Sequence, residues 1–78
     1  MQTETAILRY VAQHPAAKDT VEGIAEWWLA PPDQASVAEV TAALERLVAR
    51  GRMAAEQKAD GRIYYRRAKA AKRGVKIF

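Results

Sequence analysis

Residues 51–67 read Gly51-Arg52-Met53-Ala54-Ala55-Glu56-Gln57-Lys58-Ala59-Asp60-Gly61-Arg62-Ile63-Tyr64-Tyr65-Arg66-Arg67, a stretch that predicts a β-hairpin joined directly to the end of a helix. Asp60-Gly61 supplies the reversal, because glycine takes the positive φ of a tight turn and an aspartate side chain bonds its own backbone. Strands are expected on either side, from Arg52 to Lys58 and from Arg62 to Arg67. In the second, Ile63 and Tyr65 should face inward while Arg62, Tyr64 and Arg66 face outward, the period of two of a half-buried strand. A hairpin of this kind rests its apolar face on a core and offers cations to a polyanion, of which nucleic acid is the obvious one.

Upstream of Gly51 the chain predicts three helices. The third has the plainest signals: Ser36-Val37-Ala38-Glu39 is a capping box, and Ala35 with Val40 can form the accompanying hydrophobic staple. Its core stripe is Val37, Val40, Leu44, Leu47 and Val48. Gly51 sits where a left-handed C-terminal cap belongs, and Arg46 and Arg50 favour the negative end of the helix dipole. This helix should span Ser36 to Arg50. The second helix starts at Asp19-Thr20-Val21-Glu22 with Asp19 as its cap, and it carries Val21, Ile24, Ala25, Trp28 and Leu29 on one face. Pro31-Pro32 ends it. Gly23 inside it costs up to about 1 kcal/mol relative to alanine, which leaves close contact or tolerated weakness as its explanation. The first helix, Thr3 to Gln13, places Ile7 with Val11 and Leu8 with Ala12, and His14-Pro15 closes it.

Charge is divided along the chain. Residues 1–45 carry a balance of −5, with Arg9 and Lys18 against seven acidic side chains, whereas residues 46–78 carry +9, with only Glu56 and Asp60 against eleven basic ones. A dipolar molecule with one face suited to phosphates follows. At 78 residues the chain is one small domain. The absence of cysteine excludes a disulfide framework and fits a reducing cytoplasm. No apolar run reaches the roughly 20 residues of a membrane span, so no membrane partner is expected. One histidine, no cysteine and a single serine already used as a helix cap do not assemble a nucleophile, base and orienting group, and they hold neither metal nor cofactor; an enzyme is not expected.

Three helices followed by a hairpin, with Leu44-Glu45-Arg46-Leu47-Val48-Ala49-Arg50-Gly51 ending the third helix and Asp60-Gly61-Arg62-Ile63-Tyr64-Tyr65 forming the turn, resemble the winged helix-turn-helix family of bacterial transcription regulators. The resemblance spans residues 3–68. It implies an α+β fold of three helices with a C-terminal two-stranded wing, a domain over residues 1–68 and a basic tail over 69–78, and double-stranded DNA as partner. In that family the third helix enters the major groove and the wing follows the backbone or the minor groove. The resemblance places Ser36, Ala38, Glu39, Thr41, Ala42, Glu45 and Arg46 on the recognition-helix face, with Lys58 and Arg62 at the wing tip.

Beside these, Tyr64 is expected to stack on a sugar or pack under an arginine, and Arg66 and Arg67 extend the cationic hairpin. The exposed face of the third helix offers Glu39 and Glu45 but no Asn, Gln or Lys, the side chains that most often read base edges beside Arg. Weak sequence readout follows. Trp28 belongs to the core stripe. Trp27 lies off it, which leaves packing at the domain margin or a partner or dimer surface. The alternative function is therefore a winged-helix protein-interaction module docking through Trp27 and the acidic helical face.

Overall fold

In the computed structural model, which describes residues 2–68, the chain runs through α1 (Gln2–Gln13), β1 (Lys18–Asp19), α2 (Val21–Gly23) continuing as a π-helical stretch (Ile24–Trp28), α3 (Val37–Ala49), β2 (Met53–Gln57) and β3 (Ile63–Arg67). The tail at 69–78 lies outside the described residues. The fold is mixed α+β, with three helical segments and a three-stranded antiparallel sheet in the order β1-β3-β2.

α3 is closed at both ends by its own sequence. Ser36 Oγ accepts from the Glu39 amide at 3.1 Å and Glu39 Oε1 accepts from the Ser36 amide at 2.9 Å, so the capping box satisfies two otherwise orphaned donors. At the other end the Gly51 amide donates to Val48 O (3.0 Å) and the Arg52 amide to Leu47 O (2.8 Å), with Gly51 at φ 75°. This is a Schellman closure, and it turns the chain straight into β2.

The hairpin closes as expected and is one residue shorter at three of its four ends. The Lys58 amide donates to Arg62 O and the Gly61 amide to Lys58 O, both at 2.9 Å. Gly61 sits at φ 88°, and Asp60 Oδ1 accepts from the Arg62 amide at 2.9 Å. A three-residue loop with glycine in the left-handed position results.

Two expectations about the second helix are corrected. Thr20, not Asp19, is its cap, with Thr20 Oγ1 accepting from the Gly23 amide at 3.2 Å. Asp19 is held extended by pairing with Tyr65 across β1 and β3, so the helix starts one residue later. Nor is the helix regular: after one α-helical turn it widens to π geometry over Ile24–Trp28. Gly23 has a close contact after all, because a Cβ built there overlaps the Asp19 carboxylate, which itself accepts from the Thr20 amide at 2.8 Å.

The core gathers Ile7 and Val11 from α1, Ile24 and Trp28 with the following Leu29, Val40, Ala43, Leu44 and Leu47 from α3, and Met53 from β2. Tyr10 of α1 stacks on Trp28 with ring centroids 4.6 Å apart. Three apolar positions assigned inward are not. Ala12 is exposed and Ala6 takes its place. Val37 and Ile63 are each 45% exposed, because the first turn of α3 and the distal end of the hairpin both project past the core.

Candidate nucleic-acid interface

β1 is only two residues long, so it covers Tyr65 and Arg66 of β3 and nothing nearer the turn. At Thr20 the chain leaves the sheet for α2, and a groove of about 630 Å³ opens there, lined by Thr20, Val21, Glu22, Val37, Thr41, Arg62, Ile63 and Tyr65. Of the site residues read from the sequence, the groove brings together Thr41 and Arg62. Val37 and Ile63, placed in the core by pattern, are its apolar walls.

The other candidates on α3 stand around the same helix with little free hydrogen-bonding capacity. Ser36 and Glu39 are engaged in the capping box, and Thr41 Oγ1 donates to Val37 O at 2.8 Å. Ser36, Ala38 and Glu45 are exposed and Ala42 is half-buried. Arg46 is turned toward α1, where its Nε donates to Glu4 Oε2 while Arg50 Nη1 donates to Glu4 Oε1 at 2.8 Å.

Glu4 is a residue that sequence reasoning misses. It is 4% exposed, yet in the sequence it reads as an ordinary carboxylate in a first helical turn. Its bonds from Arg46, and then Arg50, hold its carboxyl below the ordinary value of 4.5 against the opposing effect of burial. A carboxylate whose pKa falls on folding contributes stability that is fully present above the unfolded pKa and is lost as pH drops through the folded one. Glu4→Gln should therefore be less stable than the wild type at neutral pH, and the gap should close on acidification below about pH 4. Urea melts across that range measure it; a gap independent of pH would mean that the clamp is not ionic.

Tyr64, Arg66 and Lys58 lie on the outer face of the sheet, where a second missed carboxylate organises them. Glu56 pairs with Lys18 at 3.4 Å, Lys58 at 3.3 Å and Arg66 at 3.5 Å. The Lys58 and Lys18 ammonium groups hold the Glu56 carboxyl below its ordinary value, and the Glu56 carboxylate raises the Lys58 amine. Lys18 joins only because β1 pairs with β3, Lys18 facing Arg66, a long-range contact with no local signal.

Arg52, Arg62 and Arg67 have no ion pair with another described residue and are exposed. Trp27 is 73% exposed. Among the described residues no helix is long and apolar enough to cross a membrane. No family model matches the chain, and no curated protein matches its sequence.

Proposed function

We propose that this chain is a winged helix-turn-helix domain that binds double-stranded DNA as a small transcriptional regulator, with α3 directed to the major groove and the β2–β3 hairpin serving as the wing. The observation that carries this reading is the groove in which Thr41 of α3 and Arg62 of the hairpin tip share one cleft. An α-helix fits the major groove, and a cation beside it on a hairpin tip suits the adjacent backbone or minor groove. The strand order β1-β3-β2 supports it by fixing the hairpin beside the helices.

Readout of bases is weak on this reading. Glu39 spends its carboxylate on the Ser36 amide, and Ala38 and Ala42 offer only methyl contacts, for which a thymine methyl is the matching group. Phosphate contacts then dominate affinity and carry little sequence information.

Two substitutions separate wing from helix. Arg62→Ala should weaken binding to all duplexes by a similar factor, on the order of 1 kcal/mol. Glu39→Gln keeps an acceptor for the capping box and should leave nonspecific binding unchanged or stronger, since it removes a negative charge near the backbone. An NMR titration of each variant with a mixed-sequence duplex at low salt reports affinity and surface together. Loss of binding in Glu39→Gln with no effect of Arg62→Ala would mean that the helix reads bases through its carboxylate.

The 73% exposure of Trp27 favours a second reading, a winged-helix module that docks a protein through this side chain and the acidic helical surface. Aromatic side chains are enriched at such interfaces. In that case Trp27→Ala abolishes the partner while Arg62→Ala has no effect.

A further inference from the structure

We propose that the outer face of the sheet is a phosphate site held closed from within: Lys18, Lys58 and Arg66 are its donors, and the Glu56 carboxylate stands where a phosphoryl group would bind. The inference goes beyond the groove, because none of Lys18, Glu56, Lys58 and Arg66 lines it, and Arg66 alternates along β3 with the groove-lining Ile63 and Tyr65 and so points to the opposite side.

Three cations reach one carboxylate from three places in the fold. Lys18 comes from β1, Arg66 from β3 and Lys58 from the hairpin turn, at 3.4, 3.5 and 3.3 Å from Glu56 oxygens. Two of them are more than forty residues apart in sequence, and the register Lys18 opposite Arg66 and Ala54 opposite Arg66 brings them together. A single carboxylate leaves this group with an excess of positive charge. A phosphoryl group carries more charge than a carboxylate and an additional acceptor oxygen, so the same donors serve it better.

Exchange of one anion for the other needs no unfolding. The four side chains are between 35% and 39% exposed, and ion pairs in that setting are individually weak. Glu56 has only to swing outward. The depressed Glu56 carboxyl and raised Lys58 amine are the expected mark of cations already gathered around an anion. A DNA backbone and a free phosphate present the same chemistry to this face, so the experiment has an arm for each.

The test is a titration of the full chain with inorganic pyrophosphate, followed by the side-chain NMR signals of Lys18, Lys58 and Arg66. Glu56→Gln should bind about fivefold tighter or better than the wild type, with shifts centred on those three residues. Glu26→Gln removes the same charge from an exposed position of the second helix and should leave pyrophosphate affinity where it was. Adding Arg66→Gln to Glu56→Gln should abolish the gain. Glu56→Ala vacates the position in a second way and should reproduce it, so a folding defect in one variant leaves the other to decide. Equal affinity in wild type and both Glu56 variants, or shifts centred on Arg62, overturns the proposal.

A parallel titration with a duplex separates the sources. Tightening of both ligands in Glu56→Gln means that the DNA backbone reaches this face, and tightening of pyrophosphate alone means that it takes free phosphate. Failure of every variant to bind duplex would refute the DNA reading while the pyrophosphate result still stands for this site.

Discussion

Raising the salt from about 50 to about 200 mM is expected to weaken duplex binding by about two to three orders of magnitude, a slope of roughly −4 to −5 in log affinity against log salt. Each phosphate neutralised releases condensed counterions, and four to six such contacts give that slope. The cations able to make them follow from the ion pairs. Arg46 and Arg50 are tied to Glu4, and Lys18, Lys58 and Arg66 share Glu56. Arg52, Arg62 and Arg67 are left, and the sequence adds Lys69, Lys72, Arg73 and Lys76 beyond them. Fluorescence anisotropy of a labelled mixed-sequence duplex at several salt concentrations measures the slope. A flat constant would remove the electrostatic basis of the DNA reading and turn attention to a protein partner at Trp27.

Local chemistry explains why the hairpin and α3 are legible in the sequence. A capping box, a left-handed glycine and an Asp-Gly turn each act through neighbours a few residues away, and all three form where their residues stand. What depends on distant partners is not legible. The cap of the second helix shifts from Asp19 to Thr20 because β3 claims Asp19. Arg46, read as a groove-facing cation, is claimed by Glu4, 42 residues away. Arg66 is visible as an outer-face cation in the alternation of residues 62–66, whereas Arg62, expected on the same face, lines the groove beside Ile63, and the carboxylate that holds Arg66 needs the pairing of β1, β2 and β3 to be seen. In the candidate site, then, sequence reading finds the basic side chains and misses the acidic ones that decide which of them are free.

Adjacent tryptophans should respond in opposite ways: Trp28→Ala is expected to cost about 3–5 kcal/mol, and Trp27→Ala less than about 0.5 kcal/mol. The apolar stripe of Ile24, Ala25, Trp28 and Leu29 recurs at helical spacing and leaves Trp27 off the inward face. The backbone keeps that division through the π geometry of Ile24–Trp28. Trp28 and Leu29 are 8% and 5% exposed while Trp27 is 73% exposed. Removing Trp28 leaves a cavity and strips Tyr10 of its stacking partner. For a domain of this length, whose whole stability is about 4–12 kcal/mol, that loss leaves a large unfolded fraction on modest warming. Urea melts followed by far-ultraviolet circular dichroism compare the two variants directly. Equal destabilisation would mean that Trp27 is packed in solution. An unperturbed Trp27→Ala leaves its large apolar surface without any role in folding, which is the condition under which a partner can use it.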